Sequence, residues 1–264
     1  MIIEYHRPQA IKEALALLAR TEPVTLPLAG GSALNRPSAE AVAAVDLQSL
    51  GLDTISKRAN YLDLGAMLTL QTLLDFFLLS VADDHVLQEA LIKAIRYEAT
   101  YNLRQVATIA GTLVSANGRS PFTTAMLALD ASIKIVSASK KAEAEEVSLG
   151  DLLPFRTEML RGRLITKVTI PSNTHLAYEY VARSPADLPI VCAAVSQWSS
   201  GRTRVTFGGF GSQPVLAFDG PESGGVEAAA ISAYSQAEDE WASANYRKEI
   251  AGILALRCLE QLYI

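Results

Sequence analysis

Two stretches of the chain are built from residues small enough to bring a bare backbone up to an anion. The longer runs from Tyr101 to Ala131, YNLRQVATIAGTLVSANGRSPFTTAMLALDA, and carries Thr108, Ala110, Gly111, Thr112, Ser115, Ala116 and Gly118. The shorter, Leu26 to Leu34, reads LPLAGGSAL, an apolar run that breaks at Gly30 and Gly31 and then offers the hydroxyl of Ser32. Glycine and its small neighbours let successive N–H groups turn inward, which is how a backbone nest holds phosphate. Two such loops on one chain could grip the two ends of a pyrophosphate. Taken singly, each also reads as an ordinary tight turn. Other chemistries find less support. Ser32, Ser115 and Ser120 have no histidine at a telling spacing for a catalytic triad. His6, His85 and His175 are scattered, without the paired spacing or adjacent cysteine of a zinc site. Cys192 and Cys258 sit in the apolar contexts PIVCAAV and ALRCLEQL and read as buried thiols. Two cysteines cannot supply the four thiolates of the usual iron–sulfur cluster.

The elements that must position these loops follow from hydrophobic spacing. Ile2 to Tyr5 reads as a strand, and Ile11, Ala14, Leu15 and Leu18 fall on one helical face. A second strand toward Pro27 then delivers the first loop at a strand end, where ligands bind in α/β layers. Ala43 to Leu47 is the next expected strand, closing a small unit near Lys57. Tyr61 to Gly65 alternates as a strand, and Leu70, Leu73, Leu74 and Phe77 predict a helix over 70–79. Leu87, Ala90, Leu91 and Ala94 predict another ahead of the second loop. After the loop come a helix at Thr123 to Leu129, strands at Ser132 to Val136 and Glu143 to Val147, and the β-branched strand Leu164 to Ile170, stopped by Pro171.

Pro171 to Thr174 is the expected linker. Beyond it, strands at Leu176 to Ala182, Pro189 to Trp198 and Arg204 to Gly209 precede helices at Gly225 to Trp241 and Ala244 to Leu262, a three-stranded sheet backed by helices. The acidic residues Glu143, Glu145 and Glu146 read as a solvated strand edge. Tyr97, Tyr101 and Phe122 flank the second loop and could stack on a ring, although core packing accounts for them as well.

Composition bounds the function. At 264 residues, half of them hydrophobic, the chain can bury a large core and divides into about two domains. With 28 acidic against 23 basic side chains, a formal charge of -5 and no basic run longer than Lys140 and Lys141, nucleic acid and anionic membrane are excluded as expected partners. The opening MIIEYHRPQA lacks the apolar core of a signal peptide, and no apolar run reaches bilayer length, so a cytoplasmic location is expected.

The segment ATIAGTLVSANGRSPFTTAMLALDA resembles the second flavin-binding loop of the FAD-carrying medium subunits of molybdenum hydroxylases, the carbon monoxide dehydrogenase and xanthine dehydrogenase family; LAGGSAL resembles its first. YLDLGAMLTLQTL, GRLITKVTIP, AYEYVAR and DEWASANYRKEIAGILALRCLE resemble further family segments in the family's order, so the likeness spans nearly the whole chain. It implies an α+β fold: a two-subdomain FAD-binding domain of the vanillyl-alcohol oxidase type over 1–172, with subdomains of about 1–57 and 58–172 and the cofactor cleft between them, then a small C-terminal domain over 173–264. It implies FAD as cofactor, and as partners an iron–sulfur small subunit and a molybdopterin large subunit, with electrons passing to an acceptor such as NAD or a quinone. Carried over by position, the first loop supplies Ala29, Gly30, Gly31, Ser32, Ala33 and Leu34, and the second Thr108, Ile109, Ala110, Gly111 and Thr112. Arg104 matches a family arginine ahead of the second loop, and equally reads as a solvated charge. Leu164 matches an apolar position beside the flavin, where a core strand leucine is the competing reading.

The chain departs from the family pattern at Ala110 and Thr112, where a second glycine and an asparagine are usual, at Ala33, at Pro121 in place of an aspartate, and at Tyr180 in place of a lysine. An alanine resists φ > 0 and adds a methyl where the backbone should meet phosphate. Three readings therefore stand: a FAD-binding electron-transfer subunit, a flavin-free scaffold or assembly member of the same fold, and a stand-alone binder of another nucleotide.

Overall fold

In a computed structural model, which describes residues 1–33, 40–80, 85–138 and 144–262, the N-terminal strand and helix pattern is present. Strand β1 (Ile2–His6) is followed by helix α1 (Ile11–Leu18), β2 (Val24–Leu28) and β3 (Val42–Asp46). The three strands form a parallel sheet in the order β1-β3-β2, with Leu28 opposite Asp46 in register. Helix α1 turns Ala14, Leu15 and Leu18 into a core that also holds Val45, Leu47, Met67 and Leu164.

A five-stranded sheet follows, β4 (Ile55–Arg58), β5 (Tyr61–Gly65), β6 (Ser132–Ser137), β7 (Glu145–Ser148) and β8 (Arg163–Pro171), in the order β4-β5-β8-β6-β7. Strand β4 belongs to this sheet, so the second sheet begins before residue 58. Its one buried acid is Asp63 on β5, which accepts from Arg58 at 2.6 Å, Thr169 at 2.8 Å and Lys167 at 3.2 Å, tying β4, β5 and β8 together. Between the strands lie α2 (Leu70–Leu79), α3 (His85–Glu98), α4 (Tyr101–Arg104), α5 (Ile109–Ser115), α6 (Pro121–Ala128) and α7 (Leu149–Met159). Sequence spacing missed α5 and α7, as well as the single turn α4. The first is one short turn pair, and the second contains Pro154 and a kink at Phe155, so neither shows a full apolar stripe. Ser148 caps α7, accepting from Asp151 N–H at 3.0 Å.

The remaining strands, β9 (Thr174–Val181), β10 (Val191–Trp198), β11 (Thr203–Gly208) and β12 (Val215–Gly220), form an antiparallel meander. The sheet thus has four strands rather than three. The expected 225–241 helix is shorter, α8 (Val226–Ala233), and α9 (Ala244–Leu262) packs beside it and across β9 and β10. Helices α3 and α6 also pack on this sheet; α6 starts at Pro121, because Ser120 accepts from Thr123 N–H at 3.1 Å and proline suits the first helical turn.

The chain divides into two compact units that alternate along it. Met1–Leu73, Tyr101–Ser115 and Ser132–Ile170 make the first; Leu74–Thr100, Ala116–Ala131 and Pro171–Ile264 make the second. Among the described residues no helix is long and apolar enough to cross a membrane.

Candidate functional site

The first loop leaves the sheet at the C-terminal end of β2, held by the Leu47 N–H donating to the Leu28 carbonyl at 3.0 Å. Gly30 lies against the second loop so closely that an added Cβ would fall 1.7 Å from the Val106 carbonyl oxygen. Gly31 has φ +74°, a left-handed conformation that L side chains resist. Among the described residues the amides of Gly30, Gly31, Ser32 and Ala33 have no hydrogen-bond partner. They line a cavity of about 900 Å³ within the first unit, inside the range of roughly 300–1,000 Å³ typical of small-molecule and cofactor sites. Leu34 lies outside the described residues.

The second loop differs from the expected open nest. It is pinned to the chain between β5 and α2 by Leu70 N–H to Ala107 O at 2.9 Å and Ile109 N–H to Leu68 O at 2.8 Å. Ala110 N–H donates to Ala66 O at 3.2 Å, Gly111 N–H to Thr108 Oγ1 at 3.2 Å, and Thr112 N–H to Thr108 O at 2.8 Å. The amides expected to face a ligand are thus taken up by the protein, because the segment is the first turn of α5. The same fact removes the objection to alanine: Ala110 is helical and not among the residues with positive φ.

Thr108, Ala110, Gly111 and Leu164 border the cavity, as do Ala29 to Ala33. Ile109 and Thr112 do not; both are buried, and the Thr112 hydroxyl donates to Thr108 O at 2.8 Å. Arg104 is also absent from the lining, its Nε donating to Gln71 Oε1 at 3.1 Å. Leu164 serves both of its readings, since it is 3% exposed in the core and reaches the cavity wall. Of the remaining departures, Pro121 begins α6, and Tyr180 packs on Tyr97 at 4.3 Å between ring centroids, with Lys93 over its ring at 5.7 Å; all of these lie in the second unit.

The cavity is mixed in character. Leu18, Leu26, Leu28, Leu47 and Met67 give it apolar walls, and a basic set that sequence reading overlooked, Arg20, Arg156, Arg161 and Arg163, gives it charge against one lining acid among the described residues, Glu158. The signal was there in RTEMLRGR, three arginines around a glycine, but their spacing falls short of a run. Burial holds the pKa of Arg156 below its ordinary value, the mark of a cation drawn out of water. An adjoining pocket of about 310 Å³, reached past Ala29, Gly30, Met67 and Thr108, is lined by Gln48, Asp53, Thr69 and Gln105. Unpartnered amides, small residues and apolar walls in one cleft fit a ligand with phosphate at one part and flat apolar rings at another. Among the described residues no three His, Cys, Asp or Glu side chains converge as a metal site. Both thiols are buried, and desolvation pushes that of Cys192 up to about 11.

Comparison with known proteins finds relatives that match over nearly the whole chain. The carbon monoxide dehydrogenase medium chain of Afipia carboxidovorans is 26% identical over 284 residues, covering 98% of this chain and 96% of its own length. The uncharacterized YgfM of Escherichia coli K12 is 29% identical over 262 residues, covering 96% and 94%. In a solved structure, reconstituted CO dehydrogenase from Oligotropha carboxidovorans, one chain shares the fold with a TM-score of 0.80 at 24% identity, covering 98% of this chain and 96% of that one. The family model described as the FAD binding domain in molybdopterin dehydrogenase matches residues 1–173. The chain therefore belongs to the family of FAD-binding domains of molybdopterin dehydrogenases, oxidoreductase components whose cofactor is FAD.

Proposed function

We propose that this chain is the FAD-holding medium subunit of a molybdenum hydroxylase-type dehydrogenase. On this reading it relays electrons from iron–sulfur clusters on a small partner chain to an acceptor such as NAD or a quinone, while a large partner carries the molybdopterin cofactor. The observation that carries the proposal is the cavity in which the amides of Gly30 to Ala33, without a partner among the described residues, meet apolar walls. FAD bound there would supply redox chemistry at its ring system. The loop amides and the Ser32 hydroxyl would donate to phosphate oxygens. Leu164, Met67 and Val114 would keep water from the apolar part of the ligand. Residues 1–172 would then be the FAD-binding domain and 173–264 the C-terminal domain of a cytoplasmic subunit.

One observation favours a second reading, a flavin-free scaffold: the amides of Ile109, Ala110 and Gly111 are already bonded within the protein. A calorimetric titration of FAD into the purified chain, with a visible spectrum of the protein as isolated, separates the two. The expected result is one FAD per chain. At a hundredfold excess over Kd it should raise the unfolding free energy by about 2.7 kcal/mol. A folded protein that gives neither heat nor flavin colour would remove the FAD reading and leave the scaffold reading standing. Reduction of the bound flavin by co-purified partner subunits tests the electron-transfer role.

A further inference from the structure

We infer that residues 155–161 form a strap along one wall of the cavity, hinged at Pro154 to Phe155 and at Gly162, and that its opening sets how fast a ligand enters and leaves. The inference takes its ligand from the FAD reading and goes beyond it in naming the cavity's gate. Helix α7 is two pieces. Pro154 carries no N–H and cannot make the bond four residues back, and Phe155 leaves helical geometry at φ -117° and ψ 16°. The chain bends again at Gly162, where φ is +68°, a conformation open to glycine. Between these points Arg156, Thr157, Glu158, Leu160 and Arg161 line the cavity.

The strap is held far more loosely than the chain on either side of it. Before the first hinge, Leu149, Leu152 and Leu153 are buried and Ser148 caps the helix. After the second, Leu164 and Ile165 are buried in β8, the central strand of its sheet, and Arg163 pairs with Glu145 at 2.7 Å. In the strap itself Phe155 is 60% exposed, Thr157, Glu158 and Arg161 are exposed, and Met159 and Leu160 are only partly buried. Its turn is closed by Leu160 N–H to Arg156 O at 3.1 Å and a longer Arg161 N–H to Glu158 O at 3.4 Å. A segment with few buried contacts, set between well-packed ones, is the part that opens first. A Cβ on Gly162 would lie 3.6 Å from Leu18 O and 3.7 Å from Ala19 Cα, so the end of the strap touches the end of α1, and Leu18 and Ala19 line the cavity too. Swinging the strap off α1 therefore parts two walls of the cavity.

Two measurements test this gate. Amide hydrogen exchange, followed by nuclear magnetic resonance on the ligand-free full chain, is expected to be at least about tenfold faster over 156–161 than at Leu152 and Leu153. Equal protection overturns the inference, whether or not FAD binds. The second is a reversible lock, Ala19→Cys combined with Gly162→Cys, since the two positions are close enough for a disulfide. The reduced double variant carries the same side chains without the bond, and circular dichroism verifies its folding. In stopped-flow flavin fluorescence the oxidised form is expected to take up and release FAD at least about tenfold more slowly than the reduced form, with Kd little changed because both rates fall together. Equal rates in the two forms overturn the inference and leave the FAD reading standing. A weaker Kd with an unchanged association rate also overturns it, since the bond would then be deforming the pocket. Two new thiols that stay free under oxidation overturn the contact at Gly162 and the inference with it. If the double variant does not fold, the exchange pattern alone decides. A folded wild type that binds no FAD removes the FAD reading, and the strap again stands or falls on the exchange pattern.

Discussion

Replacing Gly30 with alanine tests the site at its tightest point. The new methyl would fall 1.7 Å from the Val106 carbonyl oxygen, 2.6 Å from its carbon and 3.2 Å from the Ala107 nitrogen, all backbone atoms that cannot swing aside. Since Cβ contacts under 3.0 Å essentially never occur, the two loops must part by at least about 1.3 Å, the difference between 3.0 and 1.7. Overpacking of this kind costs roughly 1–3 kcal/mol of stability. The same movement carries the loop amides off their positions. Losing one amide-to-phosphate bond costs about 1.5–3 kcal/mol, or about 10–150-fold in Kd. Urea unfolding and FAD calorimetry on Gly30→Ala read the two effects separately. Gly252→Ala is the contrast: it lies within α9 with nothing within 4 Å of an added Cβ, so it should stabilise by about 0.5–1 kcal/mol. A Gly30→Ala protein with wild-type urea midpoint and wild-type FAD affinity would falsify the close approach of the two loops.

Substitutions at three further residues probe what holds each unit together. Arg247 is fully buried, donating to Ala237 O at 2.6 Å, Ala242 O at 2.8 Å and Asp239 at 2.6 Å; Arg247→Ala should cost about 3–5 kcal/mol, and Arg247→Lys, which lacks the fork, should not restore wild-type stability in urea. Desolvation raises the pKa of Glu98 despite donors from Ser120 at 2.7 Å and Phe122 N–H at 2.9 Å. The folded state therefore holds a proton that the unfolded chain has released, and stability falls as pH rises from the ordinary carboxylate pKa through the shifted one; Glu98→Gln should flatten that fall in urea midpoints taken across the window. At Asp63 burial would raise the pKa, but hydrogen bonds from Arg58, Thr169 and Lys167 outweigh it and hold it low. Its contribution is present above the ordinary carboxylate pKa and lost as pH falls through the lowered one, so Asp63→Asn should lose about 1–3 kcal/mol at neutral pH and converge on wild type in acid.

Much of this architecture is legible in the residues. Leu70 to Phe77 and Ile11 to Leu18 show their buried faces in plain helical spacing, and α2 spans the expected 70–79. Strand β12 escaped because VLAFDG has a pattern of mostly exposed and half-buried positions, as suits a sheet edge. The first loop was readable because a strand end, two glycines and a serine are local features. The second was misread because its small residues suit the start of a helix as well as a nest, and only the partners at Ala66, Leu68 and Thr108 decide which. The basic wall was invisible for a different reason: Arg20 and Arg161 lie 141 positions apart in the chain and meet at the cavity only after folding.

The alternation of the two units bears on how the chain is made. It passes from one unit to the other five times, after residues 73, 100, 115, 131 and 170. Strand β8 lies between β5 and β6, so the five-stranded sheet has a gap at its centre until about residue 170 has emerged from the ribosome. Helices α3 and α6 emerge well before β9 and β10, the strands that cover their apolar faces. Neither unit can therefore be completed during the first half of synthesis, and a fragment ending near residue 172 would leave α3 and α6 without the strands they pack on. Aggregation of such truncations, and a need for protection of the nascent chain, follow from connectivity alone.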